Sequence, residues 1–268
     1  MGRNYYISQS GRILRKDNTL YLEVGTETEG ETKKIPIPIE DVEALYLYGE
    51  LDLNTKLLNF LSQKKVVLHL FNYYGFYAGS YYPREYLNSG FLLVQQVEHY
   101  QSSAKRLFIA KCFVNGAIHG IQKNLSYYHN RGKDLGASLS NIEQESKLIK
   151  QASDIPTLMG VEGRVRKQYY EAFSSIIGDL FPFEKRTKRP PENPLNALIS
   201  FGNSLCYTLC LGEIYHTQLN PLISYLHEPG ERRFSLALDI SEVFKPLLVD
   251  RVIFKVLNQK MIQLDHFD

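Results

Sequence analysis

The sequence predicts an α+β multidomain protein, with a small β-sandwich-like domain over residues 1–86 followed by an all-α domain over 87–268. Three observations carry that reading. Apolar residues alternate with polar ones up to about residue 82, the period of half-buried strands. After Tyr82-Pro83-Arg84-Glu85 the apolar positions fall at helical spacing instead. The length, 268 residues with 44% hydrophobic content, suffices for two cores.

In the first domain Leu20, Leu22 and Val24 alternate with Tyr21 and Glu23, and Lys16-Asp17-Asn18 before them supplies turn chemistry. Pro36 and Pro38 force Lys34 to Ile39 into an extended form and, lacking N–H donors, place it at a sheet edge. Ala44 to Tyr48, Val66 to Phe71 and Phe76 to Tyr82 read as further strands, with a helix at Leu53 to Leu61 between them. Tyr5, Tyr6, Tyr46, Tyr48 and Tyr73 either pack the strands or face a partner, since Tyr brings contact area at low entropic cost.

In the second domain Leu92, Val97, Leu107, Phe108, Cys112, Ile118 and Ile121 mark one helix or two. Arg131 to Ser140, with two glycines, reads as a loop and Ile142 to Ala152 as a helix. Asp154, with Pro156 two residues on, reads as the start of a helix carrying Glu162. Arg166 and Tyr169, four and seven residues after Glu162, share its face; Arg166 either orients Glu162, meets a phosphate or makes an ordinary i,i+4 pair. A helix is expected over Leu195 to Tyr207. Cys206 and Cys210, four apart with no second pair nearby, read as small core residues and not as zinc ligands.

Candidate chemistry gathers in the second domain. Glu162 lies between Gly160 and Gly163 in a helical pattern, where each Gly costs about 1 kcal/mol relative to Ala, so a close approach to that backbone is expected. His227 is expected to end a helix broken by Pro229-Gly230. Asp239 and Glu242, three apart, share a helix face. Carboxylates with one imidazole suit magnesium or manganese. An Asp/Glu pair at this spacing is also the pattern of a solvated face, and a lone His at a helix end that of a packed or capping residue.

The net charge of +2 is too small for nucleic-acid binding by bulk field, so DNA contacts would come from local clusters. Before residue 88 there are ten Lys/Arg against eleven Asp/Glu, and afterwards twenty-one against eighteen. Candidate phosphate contacts are Arg164 and Arg166, the run Lys185, Arg186, Lys188 and Arg189 before Pro190-Pro191, and Arg232 and Arg233 between His227 and Asp239. Three Cys without a secretory h-region argue against a disulfide framework. With no apolar run read as approaching the ~20 residues that cross a bilayer, a cytoplasmic protein without a membrane partner is expected.

Four motifs, in order, carry a family resemblance: Met159-Gly160-Val161-Glu162-Gly163, the block Pro190-Pro191-Glu192-Asn193 to Asn203, Tyr225-Leu226-His227-Glu228, and Leu236 to Pro246. With FYAGSYYPREYLNSGFLL upstream, the chain resembles, over essentially its whole length, the integrases of CRISPR adaptation, the first of the universal CRISPR-associated proteins. The resemblance implies a metal-dependent DNA endonuclease and integrase that joins short DNA fragments into a CRISPR array through a 3′-hydroxyl. It implies that Glu162, His227 and Glu242 hold Mg2+ or Mn2+, with Asp239 as a supporting acid. Some members carry Asp where this chain has Glu242, which keeps the carboxylate on a longer arm. His227 reads equally as ligand or as proton carrier. The family also implies a homodimer through the β domain, bridged to a second dimer by a small ferredoxin-like adaptation protein, and several tens of further C-terminal residues. A general metal-dependent nuclease or branched-DNA resolvase, and a non-catalytic DNA-binding scaffold, are the alternative readings.

Overall fold

The computed structural model describes residues 2–26, 31–83, 87–178, 181–188, 190–231 and 233–267. It divides into two compact units, Met1–Asn88 and Ser89–Asp268. The first is β-rich and the second helical, the α+β class that the change of period predicts.

The first unit holds β1 (Arg3–Ile7), β2 (Gly11–Lys16), β3 (Thr19–Gly25), β4 (Thr32–Pro38), β5 (Val42–Leu47), β6 (Leu51–Asp52), α1 (Thr55–Lys64), β7 (Val67–Phe71) and β8 (Tyr77–Tyr81). One sheet runs β1-β5-β7-β8 and the other β4-β3-β2-β6. The hairpin β2–β3 turns at Asp17, whose φ of 56° is left-handed, a conformation that Asp tolerates in turns. The proline-bearing β4 is an edge strand, as a strand short of N–H donors must be. The first sheet is mixed: β1 and β7 both pair parallel with β5. Ile13, Leu20, Leu22 and Ile37 of one sheet meet Ile7, Leu45, Leu47 and Leu68 of the other in one core, closed by Leu57, Phe60 and Leu61 of α1.

The Tyr residues divide between buried and exposed positions. Tyr46 is buried, and Tyr6 stacks on it at 4.7 Å while remaining 58% exposed. His69 completes that row at 4.8 Å from Tyr46, and Tyr48 stacks on Phe71 at 4.3 Å, so one face of the first sheet is an aromatic layer. Tyr73 at the β7–β8 turn is 90% exposed.

The helical unit holds α2 (Gly90–Gln101), α3 (Ser103–His129), α4 (Gly136–Gln151), α5 (Ile155–Glu171), α6 (Phe173–Ile177), α7 (Pro194–Tyr215), α8 (Ser235–Lys245), a π-helical turn (Pro246–Asp250) and α9 (Arg251–Asn258). Asp154 caps α5 by accepting from the Thr157 N–H at 2.8 Å, and Asn193 caps α7 by accepting from Asn196 N at 2.8 Å. Three expectations are corrected. First, α4 begins at Gly136, inside the expected loop, because Gly136 falls at its first turn and not in a connection. Second, Val97, Phe108 and Cys112 face outward; the buried stripe of α3 is Ala110, Val114, Ala117, Ile118, Ile121 and Leu125. Third, α7 has 22 residues and is long and apolar enough to cross a membrane by length and composition. Its Asn196 and Thr208 are buried and hydrogen-bonded, and Leu195, Ile199, Cys206, Cys210, Leu211 and Ile214 are buried in the helical unit. About a third of its most apolar window is buried. Cys206 and Cys210 are the small core residues that their spacing suggested.

Candidate active site

The two candidate carboxylates arrive from different helices. Glu162 lies midway along α5 and Glu242 near the end of α8, and both meet the Arg166 guanidinium. Arg166 Nε donates to Glu162 Oε1 at 3.1 Å, and a terminal nitrogen donates to Glu242 Oε2 at 2.5 Å. Lys245 Nζ donates to Glu242 Oε1 at 2.5 Å. Burial alone would push the Glu242 carboxyl up, but Arg166 and Lys245 outweigh it and hold the group down at about 2. The stability from these ion pairs is present above the ordinary carboxylate range and is lost as pH falls toward 2. For Arg166 too burial disfavours the charge, and Glu242, Tyr170, Glu162 and Asp250 more than offset it, so it stays cationic.

Neither glycine beside Glu162 is pressed by another element: a Cβ on Gly160 would meet only Arg164, and one on Gly163 nothing within 4 Å. The expected close approach is therefore not made within the described residues, and both positions lie on an exposed face.

His227 does not end a helix. The described residues between α7 and α8, 216–231 and 233–234, form neither helix nor strand. The apolar spacing of this segment looks helical, but its backbone N–H groups go elsewhere. Fully buried Asp239 accepts from Tyr225 N at 2.7 Å, Leu226 N at 2.9 Å and His227 N at 3.0 Å. It also accepts from His227 Nδ1 at 2.8 Å. With Nδ1 bound to a carboxylate, the ring is oriented and Nε2 is presented on its far side, the arrangement that carboxylate–histidine pairs give to metal-binding or proton-transferring imidazoles.

A second buried network lies behind the carboxylates. Asn124 of α3 donates from Nδ2 to the Tyr169 hydroxyl at 2.9 Å and to Pro246 O at 2.7 Å. Tyr169 in turn bonds Asp250, at the end of the π-helical turn. Burial pushes the Asp250 carboxyl up to about 7, against the pull of Arg166.

The family model for "CRISPR associated protein Cas1" matches residues 5–268. The chain belongs to the Cas1 family. It is 52% identical over 266 residues to the CRISPR-associated endonuclease Cas1 3 of Thermodesulfovibrio yellowstonii, covering 99% of this chain and 79% of that relative. The structure of a Cas1 protein from Thermotoga maritima superposes with a TM-score of 0.86 at 43% identity, covering 99% of this chain and 82% of that one. A casposase bound to its integration product shares the fold, with a TM-score of 0.85 at 19% identity over 98% of this chain and 75% of that one.

In this Cas1 chain the donor types suit a hard divalent cation. Among the described residues no group of three or more His, Cys, Asp or Glu side chains is placed to hold a metal ion. What the structure provides is two carboxylates from different helices, Glu162 and Glu242, already paired with Arg166 and Lys245. Asp239 spends its oxygens on four nitrogens and serves as the anchor of the His227 loop.

The candidate phosphate contacts separate into classes. Lys185 and Lys188 are exposed on the connector before α7. Arg186 turns inward instead, donating to Asn196 Oδ1 at 3.0 Å, to Ser200 Oγ at 2.9 Å and to the Thr187 carbonyl, so it builds the connector. Arg166 is committed to the two glutamates. Arg164 pairs with Glu145 at 2.9 Å and Arg233 donates to Glu228 O at 2.6 Å, both while solvent-exposed. Arg189 and Arg232 lie outside the described residues.

Sequence reading missed Lys245, Asp250 and Asn124. Lys245 carried a signal, standing three residues after Glu242 on the same helix. Asp250 was visible only as a lone acid in the apolar run Pro246 to Phe254, and Asn124 carried no signal.

Asp250 gives a test with a definite sign. A carboxyl whose folded value is raised keeps its proton in the native state while the unfolded chain has lost it. Wild-type stability should therefore fall from about pH 4 to about pH 7 by this group's contribution and level off above. Urea titrations of Asp250→Asn should show the variant gaining on wild type across that window. A difference independent of pH would count against a protonated Asp250.

Proposed function

We propose that this Cas1 chain is a DNA endonuclease and integrase of CRISPR adaptation, which joins short DNA fragments into a repeat array by attack of a 3′-hydroxyl on a phosphodiester. The observation that carries this reading is the meeting of Glu162 and Glu242 at one cation, beside a His227 loop tied to the same α8 through Asp239. Glu162, His227 and Glu242 would hold Mg2+ or Mn2+, which when bound supplies polarisation of the scissile phosphate and a lowered pKa for the attacking hydroxyl.

The chain's own residues do the rest. Asp239 fixes the His227 ring with Nε2 outward, so the imidazole meets its ligand or carries a proton at that atom. Arg166 and Lys245 offset the repulsion between the carboxylates and keep Glu242 ionised. Glu162 itself is partly exposed on α5, and Gly163 next to it leaves open space for a DNA backbone. Lys185 and Lys188 take phosphates at the edge, contacts that position a duplex without reading its bases.

Glu162→Ala and His227→Ala should each abolish cleavage and strand joining in manganese while leaving folding and DNA affinity nearly intact. Joining that survives either substitution would refute the assignment.

Charge neutralisation at Lys185 and Lys188 should weaken binding to all sequences alike. Each lost contact should reduce the salt slope of log K by about one unit. Arg186→Gln should instead act on stability, through its bonds to Asn196 and Ser200. Equal salt slopes for wild type and the double Lys→Gln variant would make these lysines ordinary surface.

The proposed assembly is a homodimer through the first unit, working with DNA and with a second, small adaptation protein. Exposed Tyr6, Tyr73, Tyr74 and Phe76 lie on or beside the aromatic layer, a patch able to complement itself across a two-fold axis. Light scattering at micromolar concentration should give a dimer, and Tyr6→Glu with Tyr73→Glu should shift it to monomer. A wild-type monomer, or a dimer indifferent to these changes, would exclude this surface.

A further inference from the structure

Glu228, the last residue of the Tyr225-Leu226-His227-Glu228 motif, has no place in the chemistry above, yet its carboxylate is doubly bound. Arg106 of α3 donates to Glu228 Oε1 at 2.7 Å, and the Tyr100 hydroxyl of α2 donates to Oε2 at 2.8 Å. The Arg106 guanidinium lies over the Tyr100 ring, 4.4 Å from its centroid, so the three side chains form one unit. The same guanidinium donates through Nε to Tyr225 O at 3.0 Å. Arg106 therefore grips the chain two residues before His227 and one residue after it.

The grip extends back along the loop. Buried Gln96 of α2 donates to Asn220 O at 3.2 Å and accepts from Asn220 N at 2.8 Å. A long connection without helix or strand has a large conformational entropy to lose, and loops of this length in compact domains are uncommon unless functional. Asp239 fixes the backbone from Tyr225 to His227 from the α8 side. The bend between α2 and α3, at Ser102, brings Gln96, Tyr100 and Arg106 to the same loop.

We propose that Arg106, acting with Tyr100 on Glu228 and on the Tyr225 carbonyl, is a positioning residue that sets where the His227 ring stands. This rests on the reading that His227 works in the site. Glu228 is then the handle by which the α2–α3 bend holds the loop. The role follows from geometry: displacement of the Tyr225 to Glu228 backbone carries the imidazole with it, whereas Asp239 alone restrains the chain from one side.

The test uses the full chain and three readouts. Arg106→Met and Glu228→Ala should each lower strand-joining turnover by about 10–100-fold, the range for residues that orient a catalytic or metal-binding group. Half-saturation by DNA should stay near wild type. The double variant should be no slower than the worse single one, because both remove the same grip, and Arg106→Lys should recover part of the rate. Two-bond 1H–15N spectra of the His227 ring, assigned through loss of its signals in His227→Ala, should show one set of lines in wild type. In Arg106→Met those lines should be shifted or doubled. Unchanged ring lines in Arg106→Met would overturn the proposal whatever the activity. Wild-type turnover in Arg106→Met and Glu228→Ala, beside an inactive His227→Ala, would overturn it while leaving the active-site reading intact. An active His227→Ala with shifted ring lines would keep the grip and remove the catalytic role it is meant to serve.

Discussion

Two carboxylates cannot be brought together in a half-closed site unless positive charge is brought with them, and the helical unit is organised around that constraint. Glu162 and Glu242 keep 24% and 15% of their side chains exposed, so water screens them weakly. Arg166, one turn after Glu162 on α5, reaches across to α8, and Lys245, one turn after Glu242, closes the other oxygen. Losing Arg166 would leave Glu162 without this cation and Glu242 with Lys245 alone, whereas losing Glu162 still leaves Arg166 paired with Glu242. The helices that supply these side chains must therefore stay in register. Close packing provides this: a Cβ on Gly202 of α7 would stand 2.5 Å from Val249 Cγ1, and one on Gly120 of α3 would stand 3.1 Å from Pro246 Cβ. Those two contacts press α7 and α3 against the π-helical turn that follows Lys245.

Much of this was legible in the sequence, and what was not has physical reasons. The strands from Leu20 onward, the proline edge strand, the Asp154 cap and the shared face of Glu162 and Arg166 all follow from local chemistry. The short pairing of β6 with β2 and the parallel pairings of β1 and β7 with β5 do not, because they depend on partners distant in sequence. The start of α4 was hidden by Gly132 and Gly136, one of which takes φ 87° in the turn while the other sits in the helix. Outward Phe108 and Val97 kept a helical spacing without belonging to the core.

The His227 segment shows how a tertiary contact overrides a local pattern. Leu222, Ile223 and Leu226 space as in a helix, but the N–H groups of residues 225–227 are taken by a carboxylate twelve to fourteen residues later. Nothing in the segment itself announces that. Arg106 and Gln96, more than a hundred residues earlier, are equally silent in sequence, although together they hold the loop at Asn220, Tyr225 and Glu228.

Asp239 and Glu242 illustrate what the three-residue spacing on α8 achieves. The pattern alone suggested two acids of similar standing on one face. Burial separates them: Asp239 is wholly enclosed and has its oxygens committed to four N–H donors, while Glu242 stands at the edge, held ionised by two cations. One helical turn, about 5 Å along the axis, thus joins the anchor of the His227 loop to the carboxylate that the loop must face. A shift of α8 moves His227 and Glu242 together, so their relation survives small movements of the helix. The relation to Glu162 has no such covalent rule, since α5 is a separate element. It rests on Arg166 between the two helices, and on the buried bond from Tyr169 of α5 to Asp250, with Asn124 joining Tyr169 to Pro246 just after α8.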